Sequence, residues 1–348
     1  MTDTCIGWDV GGAHLKAVLL DNKGAALAAT QVYCPLWRGL RELEFAIDQV
    51  LLEFNAGSHA ITMTGELADI FPNRREGVLQ IAATLAKKLH GDLRYYAGRH
   101  GFVYQDAIDH NWSDIASMNW FASVQYVAQK VHHALFVDIG STTTDIALIE
   151  DGLPRTQGFT DAARMQCDEL VYTGVVRTPL MAITQKIPFA GKPTHVAAEY
   201  FATAADIYTL TDELDAAYNM ADTADGTDKT MQASARRIAR MVGCDADDAP
   251  PSAWVELAHA FKKVQLAQIR QAVENQMTLV DDRKDIQIVG AGAGALLAAE
   301  LASQLGLAYQ PVAALIEAID QTTRDRASVC FPAYSVAYLN CRDAGVFA

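Results

Sequence analysis

The chain contains few basic residues relative to acidic ones. Its 28 lysines and arginines face 42 aspartates and glutamates, which leaves a formal net charge of −14. Because a protein that binds the phosphate backbone needs a basic face, this charge argues against nucleic-acid binding as the main role, and we expect no nucleic-acid partner. A small anionic ligand remains compatible with this charge, since a local cluster of donors decides whether such a ligand binds.

Paired cysteines and long apolar runs are also missing. The six cysteines stand singly, at positions 5, 34, 167, 244, 330 and 341. They form no Cys-x-x-Cys pair, so neither a zinc site nor a disulfide framework is predicted, and we expect reduced thiols in a cytoplasmic protein. No apolar run reaches the length of a membrane span, and the first residues carry no basic signal region, so we expect no membrane association.

The length of the chain suits two domains with full hydrophobic cores. It has 348 residues, of which 51% are apolar. We expect a first domain over residues 1–130 and a second over 131–348, with the C-terminal segment crossing back to the first. The oligomeric state is left open, and a homo-oligomer is compatible with the sequence.

One short pattern occurs twice. Residues 6–20 read IGWDVGGAHLKAVLL, and residues 136–149 read FVDIGSTTTDIALI. In each copy an apolar strand ends in Asp-x-Gly, at Asp9 or Asp138, then passes through small residues and resumes as an apolar strand. Two ordinary hairpins would look similar. The repetition instead favours two related lobes that face each other across a phosphate-and-metal cleft.

The residue types in the repeat suit a polyphosphate held through a cation. Glycines let backbone N–H groups approach an anion, and short hydroxyls add donors. The residues expected to bind phosphate in this way are Gly11, Gly12, Gly140, Ser141, Thr142 and Thr143. Asp9 and Asp138 would repel a bare phosphate, but they make sense as ligands of a Mg²⁺ ion that bridges carboxylate and phosphate.

A further charged residue follows each aspartate after seven positions. In the first copy it is Lys16, a compact positive charge suited to phosphate oxygens. In the second copy it is Asp145, which would join the metal shell or orient a water. Both are candidate catalytic residues.

A glycine-rich turn follows a third apolar strand. Residues 286–299 read IQIVGAGAGALLAA, a strand and a helix joined by Gly290, Gly292 and Gly294. Such glycines let a helix N-terminus approach a ligand, or they allow close packing of strand and helix. A nicotinamide dinucleotide fold is not indicated, because Glu300 falls well short of the expected spacing of about 20 positions.

Together the three motifs resemble the phosphate-1, phosphate-2 and adenosine motifs of the acetate kinase, sugar kinase, Hsp70 and actin superfamily. The matching residues are Asp9-x-Gly11-Gly12 with Lys16, Asp138-x-Gly140 through Asp145, and the turn of Gly290, Gly292 and Gly294. The resemblance spans nearly the whole chain. It implies an α/β fold of two ribonuclease H-like (actin-like ATPase) domains with a ligand cleft between them.

A closer resemblance narrows the reaction. Residues 64–71, 73–78 and 174–179 are similar to the hydantoinase/oxoprolinase-like branch. Within it, the short single-chain form resembles proteins linked to tetrahydromethanopterin-dependent one-carbon transfer, among them the furan-methanamine synthase family of methanofuran biosynthesis. That family joins an aminomethylfuran-methyl diphosphate to the phenol of tyramine or glutamyl-tyramine and releases pyrophosphate.

This resemblance implies a transferase with Mg²⁺ as cofactor, no requirement for ATP, and a diphosphate and a phenolic amine as small-molecule partners. The cation and Lys16 would stabilise the departing diphosphate. A carboxylate would accept the phenol proton, and no spacing rule selects between Asp145 and Asp161. The alternatives are an ATP-dependent small-molecule kinase, a hydantoinase/oxoprolinase-like enzyme, and a nucleotide-sensing or assembly protein of the same fold.

Several other side chains are candidates for ligand contact. Thr64, Gly65 and Glu66 follow the apolar run 60–63, where a strand would deliver its C-terminal end to the ligand. A turn with local hydrogen bonds is the alternative. Four arginines could clamp phosphate, although surface arginines more often pair locally. They are Arg74, Arg75, Arg164 and Arg177, the last favoured because it lies in an apolar segment.

Aromatic and histidine side chains are interpreted mainly as structural. Trp112, Trp120, Phe121 and Tyr126 are expected to pack a domain core, with the wall of a phenol site as the alternative. His132 and His133 have no metal-ligand spacing around them and are expected at the surface or in a core.

Hydrophobic periodicity predicts the order of the elements. Strands are expected at 4–10, 15–21, 26–33, 60–63, 134–139, 144–150 and 153–159, with an extended stretch over 93–105. Helices are expected at 41–54, 77–89, 119–132, 199–218, 252–279 and 311–319. The helix over 199–218 is predicted to carry a solvated acidic face, and residues 221–230 are predicted to form a loop.

Overall fold

The chain forms two compact units, each built on its own β-sheet. The computed structural model describes residues 4–280 and 285–345. The first unit comprises, within these residues, 4–132, 149–154 and 312–345. The second comprises 133–148, 155–280 and 285–311.

The first sheet has six strands in the order β3-β2-β1-β4-β5-β6. These strands are β1 Cys5–Val10, β2 His14–Leu20, β3 Ala26–Tyr33, β4 Ser58–Met63, β5 Asp92–Tyr96 and β6 Phe102–Val103. The first three form an antiparallel meander, and β4 and β5 run parallel to β1. The apolar residues of the sheet pack against helices, which explains why β1 is buried along its whole length.

The second sheet follows the order β10-β8-β7-β13-β14, with β9 beside β8. The remaining strands are β7 Ala134–Ile139, β8 Thr144–Glu150, β9 Leu153–Arg155, β10 Leu170–Val171, β11 Lys186–Phe189, β12 Lys192–His195, β13 Gln287–Ala291 and β14 Ala308–Pro311. Strand β13 runs parallel to both β7 and β14, while β11 and β12 form a separate hairpin. Both sheets therefore share one plan, in which the first strand of a hairpin adjoins a later parallel strand and that strand adjoins a second one. This confirms the predicted pair of ribonuclease H-like domains.

Twelve α-helices cover the sheets and connect the strands in the described part of the chain. They are α1 Leu40–Leu51, α2 Arg74–Lys88, α3 Ile108–Ile115, α4 Asn119–Ala128, α5 Asp161–Gln166, α6 Leu180–Ile183, α7 Ala204–Leu210, α8 Met231–Arg240, α9 Pro251–Met277, α10 Ala295–Leu305, α11 Gln321–Val329 and α12 Phe331–Asp343. The predicted helix 252–279 is confirmed as α9, which begins with proline at its first position, where the missing N–H costs nothing.

The C-terminal helix α12 packs tightly on β1. A Cβ atom built on Gly7 would lie 1.9 Å from the carbonyl oxygen of Ala333, so only glycine permits this approach. The rings of Tyr334 and Tyr338 meet Tyr126 of α4 edge to face, with centroids 5.2 and 4.9 Å away. These contacts tie the last helix into the core of the first unit.

The predicted helix over residues 199–218 is wrong in extent. Helix α7 begins only after Thr203, whose side chain and that of Asp206 form a capping box, and Asp212 with φ of 58° lies just beyond its end. The acidic face is also wrong in part. Asp206 is buried and accepts a hydrogen bond of 2.8 Å from Nε of Arg237, and Glu213 pairs with Lys262.

The prediction of a helix over 311–319 is also wrong. Pro311 still belongs to β14, where it pairs with Gly290, and only a short 3₁₀ turn follows over Val312–Leu315. The next residues hydrogen-bond to β3 instead, because the N–H of Ala26 donates to Glu317 and the N–H of Ile319 donates to the carbonyl of Ala26.

Candidate active site

The first Asp-x-Gly turn joins β1 to β2 and closes tightly. The N–H of Gly11 donates to the carbonyl oxygen of His14 at 2.9 Å. In the resulting register Asp9 lies directly opposite Lys16. Opposite residues of antiparallel strands project from the same face of the sheet, so the side chains of Asp9 and Lys16 lie on one face. Asp9 is only 4% exposed.

A buried cysteine lies close to this pair. The thiol of Cys330 donates to the carbonyl oxygen of Thr30 at 3.4 Å. Burial raises the pKa of the Cys330 thiol to about 12, although nearby Lys16 opposes the rise while Asp9 adds to it. A thiol that stays protonated at neutral pH is a poor nucleophile, so Cys330 is a packing residue.

The segment that begins at Thr64 lies against the first turn. The N–H of Thr64 donates to the carbonyl oxygen of Val10 at 2.9 Å. A Cβ atom built on Gly65 would lie 2.8 Å from a methyl carbon of Leu36 and 3.1 Å from the carbonyl oxygen of Gly11. Glycine at position 65 is therefore required for the close approach that sets Thr64 beside the turn.

Glu66 is an internal anchor of this segment. The residue is 1% exposed, and its carboxylate accepts a hydrogen bond of 2.6 Å from the hydroxyl of Ser117. A Cβ atom on Gly77 would lie 2.4 Å from the backbone oxygen of Glu66, so α2 also packs closely here. These contacts give Glu66 a structural role beside its predicted role in substrate binding.

Asn119, which the sequence did not single out as a site residue, supports Asp9. Ser117 adopts a left-handed backbone with φ of 55°, and two residues later α4 begins at Asn119. The amide oxygen of Asn119 accepts the N–H of Trp120 at 2.7 Å, which turns its amide nitrogen towards Asp9 at 3.4 Å. The one available signal was a Ser-x-Asn run ahead of an apolar helix, which indicates a helix start but no partner.

The second Asp-x-Gly turn repeats the geometry of the first. The N–H of Gly140 donates to the carbonyl oxygen of Thr143 at 2.8 Å. A later segment binds the same turn, since the N–H of Arg177 donates to the carbonyl oxygen of Ser141 at 2.9 Å. A Cβ atom on Gly174 would lie 2.5 Å from the oxygen of Gly140. The Gly-Val-Val-Arg segment is thus held beside the turn, together with the backbone of Arg177.

The glycine-rich turn after β13 lies over Asp138. Ala291 pairs with Asp138 in the sheet, and the N–H of Gly294 donates to the carbonyl oxygen of Ile139 at 2.8 Å. A Cβ atom on Gly292, whose φ is 81°, would lie 2.3 Å from a carboxylate oxygen of Asp138. Gly290 instead makes room for the ring of Tyr309, so it serves packing.

Asp145 is held by a buried arginine. A guanidinium nitrogen of Arg164 lies 2.7 Å from the Asp145 carboxylate, and the arginine side chain is 1% exposed. The same guanidinium donates to the backbone oxygen of Glu169 at 2.8 Å. Arg164 therefore bonds to groups of the protein, which is the local pairing expected for most of the four arginines. Arg75 likewise pairs with Asp109, here at the surface.

Asp161, the other candidate base, starts helix α5. The preceding Thr160 caps the helix, its hydroxyl accepting the N–H of Ala163 at 3.2 Å. An acidic residue in the first turn interacts favourably with the helix dipole. The choice between Asp145 and Asp161 as base stays a prediction.

The aromatic group around α4 belongs to the core. Trp120, Phe121 and Tyr126 are buried, and the Tyr126 hydroxyl donates to the backbone oxygen of Leu315. Burial, followed by the neighbouring Tyr334, raises the pKa of the Tyr126 phenol. This confirms the expectation of a packing role. Of the two neighbouring histidines, His132 is exposed and His133 is half-buried.

Across residues 4–280 and 285–345, no group of three or more His, Cys, Asp and Glu side chains is arranged to hold a metal ion. Mg²⁺ commonly binds through one or two carboxylates, with waters and substrate phosphates as its other ligands, so the role of Asp9 and Asp138 stays a prediction. In the same part of the chain, no helix combines the length and apolar character needed to cross a membrane.

Residues 58–314 match the sequence model of the family described as hydantoinase/oxoprolinase. The chain belongs to this family. A curated relative from Methanocaldococcus jannaschii is 30% identical over 288 residues, which cover 82% of this chain and 86% of the relative. It is named (4-{4-[2-(gamma-L-glutamylamino)ethyl]phenoxymethyl}furan-2-yl)methanamine synthase. A relative of the same name from Methanococcus vannielii is 32% identical over 169 residues, 48% of this chain and 75% of that one.

A solved structure shows the same fold as this hydantoinase/oxoprolinase family member. It is the nucleotide-free structure of acetone carboxylase, which aligns with a TM-score of 0.57 at 10% identity. The alignment covers 97% of this chain and 70% of the carboxylase chain. The family and its two named relatives are enzymes, and so is this protein.

Proposed function

We propose that this enzyme forms the aryl ether of a (phenoxymethylfuranyl)methanamine. It joins an aminomethylfuran-methyl diphosphate to the phenol of tyramine or glutamyl-tyramine and releases pyrophosphate, as a step in the biosynthesis of a methanofuran-type cofactor for one-carbon metabolism. The observation that carries the proposal is the 30% identity to a synthase of that product over 82% of the chain.

The glycines of the first turn support binding of the diphosphate. A Cβ atom on Gly12 would meet nothing within 4 Å, and its φ lies outside the left-handed range. Folding of the chain therefore does not demand glycine at this position. A ligand that approaches the backbone closely would demand it, because its oxygens could then reach the N–H group of Gly12.

The second turn carries a hydroxyl suited to the same ligand. Among the described residues, the side-chain oxygen of Ser141 is a buried atom that finds no hydrogen-bond partner. Buried polar atoms are normally satisfied, and a phosphate oxygen would satisfy this one. Thr142 and Thr143 add hydroxyls to the same turn, and we assign the side chain of Arg177 to the diphosphate charge.

The donor set fits Mg²⁺. Asp9 is a buried carboxylate supported by the amide of Asn119, and Asp138 lies beneath the bare backbone of Gly292. Both offer the hard oxygen ligands that this ion prefers. When bound, Mg²⁺ would neutralise the negative charge that develops on the departing diphosphate.

The residues of the chain then account for the transfer. Lys16 and the two turns stabilise the diphosphate while the bond between its bridging oxygen and the furan methylene carbon breaks. The phenol oxygen forms the new bond to that carbon, and its proton passes to a carboxylate, Asp145 or Asp161. Atoms balance without ATP, because the substrate itself supplies the leaving group.

We also place this reaction in the cytoplasm. All six cysteines are free thiols, and reduced cysteines are typical of that compartment.

The test supplies the purified protein with Mg²⁺, the furan diphosphate and tyramine or glutamyl-tyramine, and assays pyrophosphate. We expect release that depends on the phenolic amine and proceeds without ATP. Asp9→Asn should lower the rate of release strongly, whereas Asp109→Asn, at an exposed carboxylate paired with Arg75, should leave it unchanged. ADP formation from ATP with a lactam or an alcohol, and no pyrophosphate, would instead support the ATP-dependent alternative.

A further inference from the structure

A row of aromatic rings starts at the first Asp-x-Gly turn. His14 opens β2 directly after the turn, and Tyr33 lies opposite it at the end of β3. Their ring centroids are 6.1 Å apart, and the ring of Trp37 follows at 6.5 Å from Tyr33, edge to face. His14 is buried, whereas Tyr33 and Trp37 each keep part of their surface open to solvent.

The segment that carries the two outer rings is bonded to the turn itself. The N–H of Cys34 donates to the carbonyl oxygen of Ala13 at 2.9 Å, and the N–H of Leu36 donates to that of Gly12 at 3.0 Å. The side chain of Leu36 also packs against Gly65. Tyr33 and Trp37 are therefore fixed relative to the backbone that we assign to diphosphate binding.

We propose that Tyr33 and Trp37 form the wall on which the furan ring of the diphosphate substrate lies, an inference that rests on the proposed function. A single methylene joins that ring to the diphosphate, so a ring bound with its diphosphate at Gly11 and Gly12 must lie next to the turn. Aromatic side chains bind flat rings through stacked or edge-to-face contacts.

The same wall suits the chemistry of the transfer. As the bond to the diphosphate breaks, positive charge develops on the furan methylene carbon and spreads into the ring. Aromatic faces attract cations, and Trp and Tyr do so more strongly than aliphatic side chains of similar size. Tyr33 and Trp37 thus assist ring binding and the reaction step.

The experiment compares Trp37→Leu and Tyr33→Leu with the ring-retaining variants Trp37→Phe and Tyr33→Phe. Each leucine variant should lower kcat/KM for the furan diphosphate by about three- to tenfold, the usual worth of an aromatic contact. Each phenylalanine variant should stay within about twofold of the wild type. Tyr104→Leu is the matched control, because Tyr104 is an exposed aromatic residue that follows β6 at the other edge of the same sheet.

A second measurement separates the ring from the diphosphate. Inhibition by inorganic pyrophosphate should be unchanged in the leucine variants, and thermal unfolding of each variant confirms that it is folded. Folded leucine variants with wild-type kcat/KM would overturn the proposal. A loss of pyrophosphate inhibition as large as the loss in kcat/KM would also overturn it, because Tyr33 and Trp37 would then maintain the shape of the turn and not bind the furan ring.

A direct binding assay keeps this test independent of catalysis. The probe is the unreactive aminomethylfuran methanol, titrated in the presence of pyrophosphate and followed by calorimetry. Weaker binding to Trp37→Leu than to the wild type supports the ring site, even if the wild type releases no pyrophosphate and the proposed function fails. Equal binding, or no binding to the wild type, overturns it.

Discussion

At the residue scale, substitution of two glycines distinguishes a role in ligand binding from a role in folding. Gly12→Ala adds a methyl group that meets no neighbour within 4 Å, so the free energy of unfolding should change by less than about 1 kcal/mol. Activity should fall about tenfold or more, the worth of a hydrogen bond to a charged group, because the methyl group blocks the diphosphate. Urea unfolding and kcat/KM for pyrophosphate release check the two halves.

Gly292→Ala, in contrast to Gly12→Ala, should lower the stability of the fold. Its φ of 81° is unfavourable for alanine, and its Cβ would lie 2.3 Å from the Asp138 carboxylate. We expect a loss of about 1–3 kcal/mol in the free energy of unfolding from the backbone strain alone. A stable Gly292→Ala protein, or a fully active Gly12→Ala protein, would contradict this division of roles.

His59 should make the stability of the first unit depend on pH. The indole N–H of Trp8 donates to Nδ1 of His59 at 3.1 Å, and Nε2 lies 3.1 Å from the backbone oxygen of His90. Burial lowers the pKa of His59 from its ordinary value of 6.5, although the bond to His90 opposes this. The unfolded chain therefore binds a proton more readily, and stability should be lost as pH falls below that value.

The measurement is the free energy of unfolding of the wild type and His59→Gln by urea at pH 7.5, 6.5 and 5.5. The wild type should lose at most about 1.4 kcal/mol per pH unit more than the variant, which carries no titrating group at this position. Parallel pH profiles would show that His59 does not contribute.

The contact of a single residue can be inferred from a sequence only where one motif contains both partners. Asp9 and Lys16 could be paired from the sequence because the spacing of a tight hairpin sets them opposite each other. Asn119 could not, because its contact with Asp9 joins positions 110 residues apart. Nothing in a local pattern encodes such a contact.

At the scale of elements, the buried pair between α5 and β8 should contribute strongly to stability. Arg164→Met removes a guanidinium that is 1% exposed and leaves the Asp145 carboxylate without that partner. Breaking a buried ion pair from one side typically costs about 3–5 kcal/mol. Arg75→Met is the matched control, since an arginine with 45% of its side chain exposed should cost no more than about 1 kcal/mol. Chemical denaturation that gives equal losses would contradict the contrast.

The elements that the sequence predicted well are those whose pattern is local. Apolar strands around Asp-x-Gly, and a proline-started helix such as α9, carry their own signals. The helix expected over 199–218 failed because a capping box at Thr203 and a left-handed Asp212 shorten it to one short helix. The helical pattern predicted a solvent-exposed Asp206. The residue is instead paired with Arg237, and this contact could not be predicted because Arg237 lies 31 residues further along the chain.

At the scale of the whole molecule, the repeated hairpin predicts joint action of Asp9 and Asp138. If both carboxylates act on the same diphosphate, loss of either one should already remove most of the rate enhancement that the pair provides. Asp9→Asn and Asp138→Asn should each lower kcat/KM, and the double variant should be little worse than the more impaired single variant. Additive losses in kinetics of pyrophosphate release would show that the two residues act independently.

The repeat also explains how far the sequence predicted the fold. Two copies of one motif and a later glycine-rich turn indicated two related lobes, and the structure contains two sheets in which a hairpin is followed by two later strands. Reaction type was less accessible, because the same turns serve phosphoryl transfer and diphosphate departure alike. Diphosphate departure is favoured by the resemblance to the furan-methanamine synthase family and by the similarity to a named synthase.

The most direct test follows the bridging oxygen of the furan-methyl diphosphate, labelled with ¹⁸O. In the proposed transfer the carbon–oxygen bond breaks, so after turnover with tyramine and Mg²⁺ the label should appear in the released pyrophosphate and be absent from the ether product. Phosphoryl transfer, the reaction of kinases with this fold, would break the phosphorus–oxygen bond. Label retained in a furan methanol, with the acceptor carrying the whole diphosphoryl group as the other product, would contradict the proposed transfer.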